Sequence, residues 1–283
     1  RGDPPPGRRD GAGGPGLGSS MADDRRSLTG ALRDLLRGSA PPPFERGRFA
    51  EDLEVALSDQ PDLGGEGTIL EAGAGSGEAT MVLAARVEPP WTVMAFEPDP
   101  EAAEALRKEV SARGLTGRVQ VFASAVGEKE TTTTLALDLR QGRRHHRVVP
   151  KPPPEGPSRS TVSVRWDAHL GRSGLTRVGL VVVDVAGDEP VVLDSLRDYP
   201  LPVPVFAAYR PDALRRSGHE PPAFLERLRS RGELFWVDDG RLGRPSEADL
   251  EARVEADGGA AILCRPRAMG EGRISPDGAF SGR

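Results

Sequence analysis

Thr68-Ile-Leu-Glu-Ala-Gly-Ala-Gly-Ser-Gly-Glu-Ala-Thr80 decides how the rest of the chain is read. A short apolar run, Ile69 and Leu70, leads into an acid, Glu71. Gly73, Gly75 and Gly77 then alternate with small residues, and from Met81 the apolar positions fall at helical spacing (Met81, Val82, Ala85). The pattern predicts a strand, a tight turn and a helix start. Glycines there let backbone N–H groups approach a ligand, and the helix N-terminus favours a carboxylate or phosphate. The dinucleotide fingerprint places its third glycine three residues after the second. That position is Glu78 here, and a carboxylate faces a pyrophosphate badly.

The flanking sequence repeats the strand–helix rhythm. Thr92–Phe96 reads as a second strand, followed by Glu97-Pro98-Asp99-Pro100, in which Asp99 suits an N-cap and Pro100 a first helical position. The helix is expected to reach Gly114, and Val119–Ala123 to be the third strand. Alternating strands and helices imply a parallel sheet with right-handed crossovers. Val178–Asp184 is apolar until its last residue, the signature of a strand covered on both faces. Helices are expected over Arg46–Leu57, Pro190–Tyr199 and Ala223–Ser230. Strands are expected over Pro204–Tyr209, Glu233–Val237 and Ala260–Cys264. Thr131–Asp138 and Ser160–Trp166, with Val162 and Val164 alternating, read as an added hairpin. The predicted fold class is α/β, with a mostly parallel seven-stranded sheet, helices on both faces and that hairpin.

The 283 residues suit one large domain with tails. Residues 1–24 are rich in Gly, Pro and Arg without period and read as disordered, as do 265–283. Residues 25–66 read as a helical N-terminal segment, with Leu28, Leu32, Leu35 and Leu36 at helical spacing. The main domain is placed at 67–264. Within it, 140–159 carries six Arg or Lys and one acid, Glu155, and reads as a mobile basic loop. The formal charge of −5 argues against general nucleic-acid binding. Cys264 is the only cysteine, so no internal disulfide forms, which suits a reducing cytoplasm. No stretch is long and apolar enough to span a bilayer. His145 and His146 lack partners at metal-ligand spacing, so no metal is expected. The chain opens on Arg1. A start at Met21 and a longer parent chain both remain open.

Three stretches together resemble the FkbM-type methyltransferases: Glu71-Ala-Gly-Ala-Gly-Ser-Gly77; Phe96-Glu-Pro98 with Ala123-Ser-Ala-Val-Gly127; and Val183-Asp-Val-Ala-Gly-Asp-Glu189. The likeness runs from about Thr68 to Cys264. The last stretch is similar to that family's Lys-Ile-Asp-Val-Glu-Gly-x-Glu signature. Asp184, Gly187 and Glu189 match it, whereas Val182 replaces the family's Lys and Ala186 its Glu.

The resemblance implies a Rossmann-like class I methyltransferase fold with S-adenosylmethionine as cofactor. The methyl acceptor is then a hydroxyl of a small molecule, sugar or glycan, or natural product. It implies that Gly73, Gly75 and Gly77 shape the cofactor turn, and that Glu71 accepts a hydrogen bond from the cofactor's ammonium group; a capping role is the alternative. Glu97, twenty residues past Gly77, and Pro98 meet the ribose, a spacing shared with NAD enzymes. Ser124 and Ala125 border the adenine, unless Ser124 is only a loop serine. Asp184, at the mouth of the fourth strand, is the catalytic candidate, as base or as orienter of the acceptor hydroxyl. A bond to its own turn is the plain alternative. Glu189 reads as a first-turn helix acid, and His169 and His219 as surface or packing residues. Two rivals stay open: a relative that binds the cofactor without turnover, motivated by Val182 and Ala186, and a nicotinamide oxidoreductase, which Glu78 argues against.

Overall fold

The strand Thr68–Ala72 (β1) is buried at all five positions, so both of its faces are covered. A computed structural model of the chain describes residues 46–58, 66–137, 147–149, 156–175, 177–199, 203–238 and 240–267. All belong to the unit Pro41–Arg283. The expected helix over 26–37 lies outside these residues, as do 1–24 and 268–283.

Around β1 the sheet is built from Thr92–Phe96 (β2), Val119–Phe122 (β3), Val178–Val183 (β8), Val205–Tyr209 (β9), Gly232–Asp238 (β10), Arg241–Gly243 (β11) and Ala260–Pro266 (β12). The order is β11-β10-β12-β9-β8-β1-β2-β3. Pairs from β3 through β9 are parallel, while β12 runs antiparallel to both β9 and β10. The sheet is thus mostly parallel, as the sequence rhythm implied, with a reversed strand near one edge. The chain leaves β1 toward β3 and returns on β1's other side as β8. A crevice at such a reversal of strand order is where open α/β sheets bind ligands.

The helices are Arg46–Ser58 (α1), Glu78–Arg86 (α2), Pro100–Ala112 (α3), Trp166–Ser173 (α4), Glu189–Asp194 (α5), Pro211–Arg216 (α6), Pro221–Arg231 (α7) and Glu247–Asp257 (α8). α3 starts as its sequence directs: Asp99 accepts the Glu101 N–H at 3.1 Å and Pro100 takes the first turn. α1 buries Phe49, Ala50, Leu53, Ala56 and Leu57 on one stripe, which packs against α2 and β12.

Four differences from the sequence reading have local causes. The main sheet has eight strands rather than seven, because the chain turns back after Asp238 and adds β11. The expected hairpin is a four-stranded sheet, ordered β4-β7-β5-β6, from Ala125–Val126 (β4), Thr131–Ala136 (β5), Arg147–Val149 (β6) and Ser158–Val164 (β7). The stretch 140–159, expected as one loop, therefore contributes β6 and the start of β7; residues 140–146 and 150–155 are outside the described residues. The helix expected to run to Tyr199 is regular only to Asp194, after which Ser195 and Leu196 close turns. Finally, β12 continues through Arg265 and Pro266, two residues expected in the tail.

Candidate functional site

The glycine turn is held by the ends of its neighbours. Gly73 and Ala74 both donate their N–H to the Phe96 carbonyl, at 2.9 and 3.1 Å, and Gly77 donates to the Ala74 carbonyl at 2.9 Å. Gly75 donates to Glu97 Oε2 at 2.6 Å. These four amides are committed within the protein. The glycines act through backbone shape, not through free N–H groups: Gly73 has φ +82°, and a Cβ on it would stand 2.0 Å from the Asp184 carbonyl oxygen. The close approach brings the end of β1 against the end of β8, where Asp184 in turn donates its N–H to the Ala72 carbonyl at 2.9 Å. Gly77 serves packing, since a Cβ there would lie 2.4 Å from Leu106 Cδ1 on α3.

Two acids flank the turn from below. Glu71 is 2 % exposed and its Oε2 accepts the Thr80 hydroxyl at 2.7 Å. Glu97 is 3 % exposed and each of its oxygens holds one backbone N–H: Gly75 on Oε2, and Asp99 on Oε1 at 2.9 Å. A carboxylate oxygen has a second lone pair, so each Glu97 oxygen can accept once more. Pro98 is half-buried beside Glu97, and its carbonyl takes the Thr161 hydroxyl at 3.0 Å. Ser124 and Ala125 are buried at the end of β3 and the start of β4.

Asp184 directly follows β8 and is largely buried. Arg210, the residue after β9, donates from Nη1 to Asp184 Oδ1 at 2.5 Å, and both side chains are sequestered. The following loop is strained: Ala186 has φ +57°, unusual for a residue with a Cβ, and Gly187 has φ +117°. A Cβ on Gly187 would stand 2.3 Å from the Ala213 carbonyl oxygen. Glu189 is fully buried at the first turn of α5. Its Oε1 accepts the Gly187 N–H at 3.2 Å, while Oε2 has no hydrogen-bond partner. Burial pushes its carboxyl up to about 7; the Arg210 cation opposes that rise and the Asp184 charge adds to it.

Phe49, Glu71, Gly73, Ala74, Glu78, Val182 and Asp184 line a cleft with about 260 Å³ of empty space, part of it open to solvent. Phe49 reaches it from α1 and packs on Phe206 of β9, ring centroids 4.9 Å apart. The cleft thus gathers Glu71, Gly73 and Asp184 of the residues singled out in the sequence. Glu97 is tied to it through Gly75. Pro98, Ser124 and Ala125 are placed on the β2 and β3 side, outside the cleft lining. Its enclosed space is only about 10 Å³, room for about one water, far below the roughly 300–1,000 Å³ usual for ligand pockets. Any ligand larger than a few atoms therefore requires the lining of the cleft to move.

Thr80, Arg210 and Phe49 were not foreseen. Thr80 had a legible signal, one helical turn inside the motif helix. Arg210 and Phe49 come from distant segments and are brought to the site only by folding. His169 packs edge-on against Phe96 and Phe122, at 5.6 and 5.1 Å between centroids, and burial lowers its pKa, helped by the Arg172 cation. His219 Nε2 lies 3.7 Å from Asp188. His145 and His146 are outside the described residues. Among the described residues no group of three or more His, Cys, Asp or Glu could hold a metal ion, and no helix is long and apolar enough to cross a membrane.

No protein-family model and no curated protein sequence matches the chain. Among solved structures, an O-methyltransferase from Bacillus cereus in complex with SAH is similar at TM-score 0.45 and 11 % identity, covering 88 % of this chain and 94 % of that one. TomG from Streptomyces achromogenes, an O-methyltransferase involved in tomaymycin synthesis and solved with SAM, gives TM-score 0.45 at 14 % identity over 89 % and 93 %. A methyltransferase from Geobacter sulfurreducens gives 0.43 at 16 % over 85 % and 89 %.

Proposed function

We propose that the protein is an S-adenosylmethionine-dependent O-methyltransferase of the FkbM type, acting on a hydroxyl of a small molecule, sugar or natural product. The observation that carries this reading is the chemistry of the cleft. Three carboxyl side chains, Glu71, Glu78 and Asp184, line it, and the amides of Gly73, Ala74, Gly75 and Gly77 are already used. A pyrophosphate would meet carboxylates and find few free donors. A ligand with an ammonium group and a sulfonium meets the opposite charge.

The cofactor, once bound, supplies a methyl group on a cationic sulfur. Glu71, steadied by Thr80, accepts from its ammonium end. Glu97 offers a lone pair on each oxygen to the ribose, beside Pro98, and Ser124 and Ala125 face the adenine. Asp184 accepts from the acceptor hydroxyl and takes its proton as the new bond forms. Arg210 holds the Asp184 carboxylate in one orientation. Alignment of the reacting groups supplies about 7–11 kcal/mol of such a barrier, a general base about 3–5 kcal/mol. Loss of Asp184 should therefore slow turnover without ending cofactor binding. The domain carrying this activity spans about 67–264, and the reading places it in the cytoplasm, with no nucleic-acid or membrane partner.

A screen of hydroxylated acceptors for gain of one methyl by mass spectrometry tests the reading. Turnover reduced about 10²–10⁴-fold in D184N, with cofactor affinity kept, is the expected outcome. The absence of methylated product across phenolic, sugar and hydroxy-acid acceptors would favour a second reading, a cofactor-binding relative without turnover. Asp184 being engaged by Arg210, and Val182 presenting a methyl wall where the family has an ammonium, are the observations behind it. A tight NADH fluorescence change would favour the nicotinamide reading over both.

A further inference from the structure

The second sheet is turned the unexpected way round. Along β7 the residues alternate, and Thr161 and Ser163 are each 6 % exposed while Val162 is 52 % exposed. A shift of register by one residue would bury the valine and return both hydroxyls to water. The hydrophobic effect favours that shift, so something polar holds the observed face inward.

The contacts of that face identify it. Thr161 donates its hydroxyl to the Pro98 carbonyl at 3.0 Å. Arg159, two residues earlier on the same face, reaches Asp99 Oδ1 at 3.2 Å and Glu101 Oε1 at 2.6 Å. The Asp99 side chain is only 3 % exposed and also caps α3. Ser163 sits so close to Gly127 that a Cβ there would be 2.6 Å from its hydroxyl. β7 also pairs with β4, which begins at Ala125. One strand therefore grips both segments assigned to the nucleoside, and its hydrogen bonds run on from Pro98 and Asp99 to Glu97, and from Glu97 to Gly75.

We propose that Thr161 and Arg159 are positioning residues for the cofactor: they fix the Glu97–Asp99 loop so that both Glu97 oxygens face the ribose hydroxyls. The inference rests on the methyltransferase reading. It makes the added sheet a working part of the nucleoside site rather than a cover for the acceptor. Neither residue touches the reacting atoms; both act through Glu97.

The test is calorimetric titration of the full chain with S-adenosylhomocysteine and with its 2′,3′-dideoxy analogue. In T161V the dissociation constant for S-adenosylhomocysteine should rise about threefold to tenfold, the worth of one neutral hydrogen bond. Affinity for the dideoxy analogue should stay at the wild-type value, and T161S should restore the parent ligand. R159Q, which keeps an unbranched polar side chain but loses the charge and the ion pairs, supplies the same comparison should T161V not fold. Equal affinity of wild type and both variants for S-adenosylhomocysteine overturns the inference and leaves the methyltransferase reading standing. Equal loss for both ligands also overturns it, because the strand then supports the fold alone. Failure of the wild type to bind S-adenosylhomocysteine sinks both.

Discussion

Glu97 is the residue on which the site turns, because it joins the glycine turn to the loop after β2 with one carboxyl group. Its removal leaves the buried Gly75 and Asp99 N–H groups without acceptors and deletes the ribose contacts proposed for it. Hydrogen bonds to a charged group are worth about 1.5–3 kcal/mol each, so E97A should weaken S-adenosylhomocysteine binding by at least tenfold, read by calorimetry. Gly73 makes a sharper case. G73A places a methyl 2.0 Å from a backbone oxygen that cannot move without breaking the β1–β8 junction, so the variant should lose its cooperative thermal transition. Gly114 also has positive φ, but a Cβ there meets nothing within 4 Å; G114A should cost only about 1–2 kcal/mol. Equal stability of the two variants would deny Gly73 its role. At this scale the sequence was informative where an acid closes a strand, as with Glu71, Glu97 and Asp184, all of which lie at the glycine turn or its cleft. It was silent on Arg210, Thr161 and Phe49, whose partners lie far off in the chain. The expectation that glycine amides face a ligand missed that Phe96 and Glu97 would claim them.

At the scale of elements, the loop from β8 into α5 carries a linked test. Glu189 titrates near 4.5 in the unfolded chain and at about 7 when folded, with burial the cause. Below about pH 4.5 both states hold the proton and the shift costs nothing. Between about 4.5 and 7 the unfolded chain ionises and the folded one does not, so stability falls as pH rises, by up to about 3 kcal/mol for this group. Asp52 on α1, also raised to about 7 by burial, adds in the same direction. Urea midpoints measured at pH 5 and pH 7.5 should therefore fall in the wild type and fall less in E189Q. Gln keeps an acceptor for the Gly187 N–H and has no proton to lose. A wild-type midpoint that rises over this interval would contradict the assignment. Element boundaries were legible where period and punctuation agreed: β1 and β2 run as read. α8 was overlooked, although Ser246 and Asp249 form a capping box that its spacing announces. The inward face of β7 was not legible, since Val162 and Val164 alternate with Thr161 and Ser163; Thr161 and Arg159 set it through partners in the loop after β2 and the start of α3.

For the whole molecule, the strand order brings three acids and an arginine to one crevice beside β1, and the crevice is narrow. Binding should therefore open it: hydrogen exchange at 97–101 and 124–127 should slow once ligand fills the space, while β10–β12 stay unchanged. A ligand that binds only the folded chain also stabilises it, by about 3 kcal/mol at a hundred times its dissociation constant, which a rise in the thermal midpoint would report. The strand order came from the fold, whereas the parallel pairing around β1 followed from the rhythm of the sequence. The eighth strand and the four-stranded insertion did not, because short strands with polar faces leave little period to read. The most direct measurement is calorimetric titration of the full chain with S-adenosylmethionine, with NADH as the control. The expected result is one site per chain with a dissociation constant on the order of micromolar, about 8 kcal/mol of binding free energy, weakened in E97A and with no NADH signal. No heat with S-adenosylmethionine up to millimolar concentration, or NADH binding in its place, would contradict the account.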